Sequence, residues 1–537
     1  MKKAYGSGYP GNMVANGRDA RRLPIRVTPR FSLRLAISFP TSRFAPVLVL
    51  LWCSALFAYG LSAGPLYRTE SLRAIIGAEC LHGNWLYPVL YGEPFLTKPP
   101  GQYAAIGLCS LPFGHVTAIS ARLPSVFAAV ATVILMYGLF RRTLGERSAL
   151  IAALLLPTSV LWLEKVTSAE IDMTLVGWVT AALVFFHRSI SAPGRFSAVR
   201  MILALLCAAA GTLTKWTAPA FFYLTVLPFL FWRGQLRLLF GWRHLLGAGV
   251  ATIVLASWAI AVSERVGWDT LSDTIRKEAE YRFHSPAKTK GYPWGGVVTY
   301  PLLVLAAHLP LSLFALSTLR PSFFRLWDDR GRILLQFLHC WTWPNLIFWT
   351  LVPNHNVRYA LPLSPGLMGL GIMGFLAWWG RNLTPQPPSL ERKGEQRPFG
   401  GEVGEGVSPV VLHPTPWRVR LFVGFLACWL VAKIVFVEVV IPHRTAGRSA
   451  ETTADQLREL VPPGETLYIF KLKDEGIMFY YGRPARKLHN PHDLPRGGYA
   501  VLIEQEWNDR AAFGEIELVR WMYDQQGDPL TLVRTAP

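Results

Sequence analysis

Residues 67–103 read YRTESLRAIIGAECLHGNWLYPVLYGEPFLTKPPGQY. The stretch is too polar and too broken to cross a bilayer, yet a long apolar run stands on each side of it, which places it at a membrane surface. From Glu70 to His82 the apolar residues Leu72, Ile75, Ile76 and Leu81 recur near the helical period and stop at Gly83. That spacing predicts a short helix lying along the interface. Trp85, Tyr87 and Tyr91 follow as aromatic anchors. Lys98 precedes Pro99 and Pro100, so one cation is held on a stiff backbone beside the next hydrophobic run. A fixed cation at headgroup level suits a phosphate.

Working outward, the rest of the chain is built for lipid. Of 537 residues, 51% are hydrophobic, with 20 Trp and 30 Phe, far from a soluble composition. The net charge of +20 would point to nucleic acid in a soluble chain. Here the basic residues cluster between apolar runs, as the positive-inside bias requires, and nucleic acid is excluded as a partner. Five of the six cysteines lie in or beside apolar runs, only Cys80 sits in the polar loop, and no C-x-x-C spacing occurs. Neither a disulfide framework nor a thiolate metal site is indicated.

Apolar runs near 44–63, 117–140, 148–163, 172–187, 200–214, 217–232, 244–263, 296–318, 333–351, 360–380 and 417–438 predict a mainly α, polytopic transmembrane protein with about eleven spans. The first run has no convincing cleavage site and reads as an anchor. With the N-terminus inside, Arg141 and Arg142, Arg188 to Arg200, Arg233 to Arg243, Arg320 to Arg332, and Arg381 all fall on the cytoplasmic side. Loops 64–103 and 264–295 and the links 164–171 and 352–358 fall outside. Residues 1–43, with a single acid at Asp19, form a basic cytoplasmic arm. Residues 381–416 form a Pro/Gly/Glu-rich cytoplasmic linker between the domain of residues 44–380 and the last span, 417–438. Residues 443–537 change character, with a helical pattern at 455–460 and strand-like runs at 466–471 and 499–504, and predict a small external α/β domain. It carries no dinucleotide or P-loop glycine pattern.

The order of these features, GNWLYPVLYGEPFLTKPP at 83–100 followed by Ala121-Arg122-Leu123-Pro124, resembles the first external loop of the GT-C membrane glycosyltransferases. These are the polyprenyl-phosphate-sugar-dependent enzymes that include the lipid A aminoarabinose transferase and the protein O-mannosyltransferases. The resemblance covers residues 44–380 and is strongest over the first third. It implies a GT-C fold in a bacterial-type plasma membrane, an active site on the external face, and inverting transfer of a sugar from a polyprenyl-phosphate donor to a lipid, glycan or protein acceptor.

Such transfer needs a carboxylate to take the acceptor proton and cations to stabilise the departing phosphate. The family places a catalytic Asp after the first span. Here Arg68 stands opposite it without a gap, and a two-residue shift puts Glu70 in its role, unless Glu70 only caps the surface helix. Asp172, with Glu170 as its weaker neighbour, matches a family Asp at the start of a span, where burying its charge costs roughly 2–3 kcal/mol. The alternative for Asp172 is an N-cap. For the phosphate the resemblance nominates Lys98, Lys215, Arg282 of EAEYRF at 278–283, and Arg358-Tyr359 of NHNVRYALP at 354–362. Lys215 could instead reach for headgroups. The lipid A branch has an acid before its K-P-P and a His in its E-H-x-x-R-F, placed to bind zinc. Thr97 and Ala279 stand there in this chain, so no metal and no cofactor are expected. A transporter or lipid flippase would also have many spans, but no internal repeat is visible and the charged candidates gather at one interface.

Overall fold

The computed structural model describes residues 34–35, 44–191, 194–283, 292–380, 411–412, 416–446, 450–472 and 474–536. Most of the predicted arm and linker lies outside them. Helix α1 (Ala45–Phe57) leads into the surface stretch, which folds as helix α2 (Thr69–Leu81), a two-residue hairpin of β1 (Val89–Leu90) and β2 (Glu93–Pro94), and helix α3 (Gly101–Ser110). Two glycines set the spacing of α2 and α3. A Cβ on Gly77 would lie 2.5 Å from Ile106 Cγ2, and one on Gly107 would lie 2.6 Å from Cys80 Cβ. The helices pack with their backbones close, and the loop becomes a rigid platform rather than a lone interfacial helix.

The bundle follows as α4 (Ala118–Leu144), α5 (Glu146–Leu155), α6 (Val160–Lys165), α7 (Ile171–Ser191), α8 (Ser197–Thr214), α9 (Ala218–Trp232) and α10 (Trp242–Val266). Helix α11 (Trp268–Phe283) occupies most of the predicted loop 264–295, and α12 (Trp294–Ala307), α13 (Leu311–Ser317), α14 (Asp329–Leu351), a 3-10 turn (Val357–Leu363) and α15 (Ser364–Gly380) complete the domain. Six helices among the described residues are long and apolar enough to span a membrane. A seventh is counted if α12 and α13, bent by 113°, are one broken span. The expected eleven is therefore not met by full-length helices. The run 148–163 is split because Pro157 cannot continue α5 and Ser159 caps α6, its side chain accepting from Trp162 N. Pro310 stands at the break between α12 and α13.

These helices share one apolar core running from α1 through α4, α5, α7, α9, α14 and α15. Fully buried Trp162 and Trp341 keep their indole N–H groups satisfied, donating to Ser364 Oγ (2.6 Å) and Pro362 O (2.9 Å). The chain is an integral, multi-pass membrane protein. Its two ends sort as the arginine alternation predicts: the ends of α4, α7 and α9 and the start of α14 surround one cavity. The start of α7, the end of α8, the 3-10 turn and the surface stretch surround another.

The last span is α16 (Pro416–Val435), continued by a π-turn (Phe436–Val440) and α17 (Ile441–Thr445). Beyond it, α18 (Ala450–Leu460) and α19 (Glu475–Tyr481) pack on a five-stranded mixed sheet. Its strands are β3 (Leu467–Ile469), β4 (Ala485–Lys487), β5 (Tyr499–Ile503), β6 (Ile516–Tyr523) and β7 (Pro529–Thr535), in the order β4-β3-β5-β7-β6. Strand β3 runs parallel to both neighbours, and β7 is antiparallel to both of its own. This domain sits on the platform: Leu66 N donates to Tyr480 Oη (2.9 Å), His489 meets Glu93 (2.7 Å), and Ile75 and Tyr91 pack against its core.

Candidate active site

Three backbone features bring distant residues together. Helix α8 ends at Thr214, and Lys215 turns to extended backbone (φ −154°, ψ 126°). Helix α7 begins at Ile171, so Asp172 stands in its first turn. A Cβ on Gly101 would come 2.7 Å from Leu213 O and 2.7 Å from Thr214 Oγ1, so the turn after Pro100 rests on the end of α8. The result is a cavity of about 190 Å³ whose lining includes Thr69, Arg73, Lys98, Glu170, Asp172, Lys215, Glu278, Tyr281, Arg358 and Tyr359.

Within it, Lys215 Nζ donates to Asp172 Oδ1 at 2.5 Å, with side chains only 6% and 3% exposed. The same ammonium lies 4.9 Å from the Tyr359 ring centroid. Lys98 pairs with Glu278 of α11 and donates to Thr97 O (3.0 Å). Arg358 Nη1 and Lys165 Nζ each approach Glu170 Oε2 at 3.4 Å, and Thr69 Oγ1 lies 3.3 Å from Glu170 Oε1. Burial opposes the charge on Lys165, but Glu170 and Glu164 outweigh it and raise its pKa above the ordinary lysine value. Arg73 is buried, stacks over Tyr103 at 5.3 Å and donates to its hydroxyl. The Nε–H groups of Arg73 and Arg358 are buried and donate to no protein acceptor among the described residues.

Of the residues nominated from sequence, Asp172, Lys98, Lys215, Arg358 and Tyr359 line this one cavity. Glu70 does not. Its Oε1 accepts from Ala169 N (2.8 Å) and Arg122 Nε (3.3 Å), and Arg122 in turn donates to Leu61 O (2.8 Å) and Ala63 O (3.0 Å). The geometric reason is the start of α2: Thr69, one position earlier, faces the cations, and the helical turn carries Glu70 away from them. Arg282 lies in α11, but its side chain is outside the described residues; Glu278 and Tyr281 are the α11 side chains that line the cavity.

Sequence reasoning missed Arg73, Thr69 and Glu278. Thr69 and Arg73 are four residues apart on a predicted helix and so share a face, which was the available signal. Glu70 lines a second cavity of about 320 Å³, with Arg122, Lys165, Phe436, Ile441 and Arg444. Glu170 lines both cavities.

Residues 97–260 match the family model described as dolichyl-phosphate-mannose-protein mannosyltransferase. The chain is 28% identical over 307 residues to an undecaprenyl phosphate-alpha-4-amino-4-deoxy-L-arabinose arabinosyl transferase of Erwinia tasmaniensis, covering 55% of this chain and 53% of that one. It is 28% identical over 329 residues to the protein of the same name from Pectobacterium atrosepticum, covering 59% and 55%. The chain thus spans about half the length of the curated relatives it matches. In three dimensions it resembles the crystal structure of ArnT from Cupriavidus metallidurans bound to undecaprenyl phosphate, with a TM-score of 0.66 and 17% identity over 92% of this chain and 98% of that one. The apo state of that protein gives a TM-score of 0.65 over 91% and 98%.

Proposed function

We propose that this chain, a GT-C superfamily member by its fold, is an integral-membrane glycosyltransferase that moves a sugar from a polyprenyl-phosphate donor to an acceptor hydroxyl on the external face of a bacterial plasma membrane. The observation that carries the reading is the cavity itself: Arg73, Lys98, Lys215 and Arg358, from four separate parts of the chain, meet Glu170, Asp172 and Glu278 in one enclosure. Four cations against three acids leave a net positive site for a phosphate.

The acids divide the work. Asp172 is committed to Lys215 at 2.5 Å and is almost inaccessible, so it is a positioning residue that keeps that ammonium charged and aimed. Glu170 is the carboxylate reached from both cavities, and it is the general base in this reading. The acceptor hydroxyl, seated in the 320 Å³ cavity, gives its proton to Glu170 as its oxygen bonds the anomeric carbon. The bond from that carbon to the phosphate oxygen breaks, and its electron pair leaves with the polyprenyl phosphate, which gains a second negative charge. Lys215, Arg358 and Lys98 stabilise that charge, with the free Nε edges of Arg73 and Arg358 as further donors. A single displacement inverts the anomeric centre. Glu70, locked to Arg122 and Ala169, holds the loop that presents Glu170.

The test is to incubate purified protein with a radiolabelled polyprenyl-phosphate sugar and follow release to water or transfer, comparing Glu170→Gln, Asp172→Asn and Lys98→Ala with the parent. All three are expected to lose turnover. Parent-like rates in all three would sink the site, and substrate translocation in proteoliposomes without bond cleavage would replace the function with transport.

A further inference from the structure

At the opposite end of the bundle lies a cavity of about 450 Å³. Four arginines from four helix ends line it: Arg142 after α4's last apolar turn, Arg188 on α7, Arg233 after α9, and Arg330 at the start of α14. No Asp or Glu among the described residues lines it. Among the described residues none of the four arginines has a carboxylate within ion-pair distance, whereas Arg141 pairs with Glu146 and Arg332 with Asp329 close by. The floor is apolar, with Leu139, Phe229 and Ile333.

A cytoplasmic cluster of arginines ordinarily needs no explanation beyond orientation of the chain. Side chains serving only that purpose diverge into water. Here they converge. Arg188 lies back along α4, where a Cβ on Gly138 would stand 2.8 Å from its Nη2, and its Nε is buried without a partner among the described residues. Four guanidinium groups bordering one space raise a positive potential there that attracts an anion. The rim beside Arg233 carries Phe231 and Trp232, 74% and 49% exposed, an aromatic edge of the kind that sits at headgroup level. A basic pocket between transmembrane helices on the cytoplasmic side, with an apolar floor, has the chemistry of a phospholipid site.

We propose that this cavity binds the phosphate of an anionic phospholipid of the cytoplasmic leaflet, with the guanidinium groups of Arg142, Arg188, Arg233 and Arg330 around the headgroup and the start of an acyl chain over Phe229 and Leu139. It is a second phosphate site, separated from the external pocket by the length of the bundle. The phosphodiester is the recognised group; the apolar floor and aromatic rim favour the lipid over a free anion.

The full chain is purified in detergent, stripped of lipid, and titrated with phosphatidylglycerol, phosphatidylcholine or inorganic phosphate while bound lipid is read by native mass spectrometry and thermal unfolding is followed. Phosphatidylglycerol is expected to bind and to raise the unfolding temperature, with phosphatidylcholine and inorganic phosphate giving no rise. Arg233→Gln and Arg142→Gln, both exposed at the rim, are each expected to weaken phosphatidylglycerol binding about tenfold, the scale of one charge-assisted contact. Arg188→Gln is expected to weaken it further, and should that variant not fold, the two rim variants carry the test. Equal binding of phosphatidylcholine, or parent-like binding of phosphatidylglycerol by both rim variants, overturns the site. A rise reproduced by inorganic phosphate overturns the lipid and leaves an ion site.

Discussion

The two ends of the helical bundle both concentrate positive charge, and they handle it in opposite ways. Outside, three of the four cations have a carboxylate: Lys215 has Asp172, Lys98 has Glu278, and Arg358 has Glu170, while Arg73 donates to the Tyr103 hydroxyl. Inside, four arginines face a cavity that no acid among the described residues lines. Paired charges are held in fixed geometry, as a reaction that must receive a growing charge at a set place requires. Unpaired arginines bind an anion without directing chemistry. The difference is legible in origin too: the inner arginines come from helix ends alone, whereas the outer site recruits a platform, a turn and α11 around the helix ends.

The comparison breaks most sharply at Asp172. Asp172→Asn leaves the Lys215 ammonium buried without its counter-charge, a change expected to cost about 3–5 kcal/mol of stability and to abolish transfer. Calorimetric unfolding and turnover are the measurements. The double variant Asp172→Leu with Lys215→Met should recover much of the stability and none of the transfer. Next in size, Glu170→Gln is expected to lower turnover about 10²–10⁴-fold with the fold intact, the usual range for losing a general base. Glu70→Gln serves as its contrast: weakening the grip on Arg122 should lower stability by about 1–3 kcal/mol and turnover far less than Glu170→Gln does. Gly101→Ala pushes a methyl group against Leu213 O and should cost about 1–3 kcal/mol while separating Lys98 from Lys215, read as weaker donor binding. Smallest of all, Arg233→Gln at the inner end is expected to leave turnover in detergent within about twofold, because no contact joins it to the outer pocket.

Much of this plan could be read before any coordinates, and the parts that could not share a cause. The KPP turn, Asp172 and Lys215 stand out as charges or stiff backbone beside apolar runs, whereas the Arg358-Tyr359 pair is nominated by the family resemblance alone. Glu70 is nominated by a two-residue shift against the resembling family's Asp, and one position on the helix decides that Thr69 lines the cavity and Glu70 does not. The partner of Lys98 is 180 residues away, and the close approach of Gly101 to α8 depends on tertiary packing that one glycine in a loop does not advertise. Broken spans were hidden because hydropathy does not sense where Pro157 ends a helix. In the terminal domain, β6 is exposed on both faces along most of its length and so shows no alternation to find, and β4 is only three residues long.

The contacts of Glu170 have a consequence in time. While ionised, that residue is the counter-ion for Lys165 and Arg358, each 3.4 Å away. In the proposed reaction it becomes neutral once it accepts the acceptor's proton, and Arg358 loses that carboxylate in the same instant that the departing carrier becomes doubly charged, while Lys165 keeps Glu164 at 3.4 Å. The proton thus hands Arg358, which lines the phosphate pocket, from enzyme to product. The spent carrier is then gripped more tightly than the incoming donor, so its escape waits until Glu170 has lost its proton to bulk solvent.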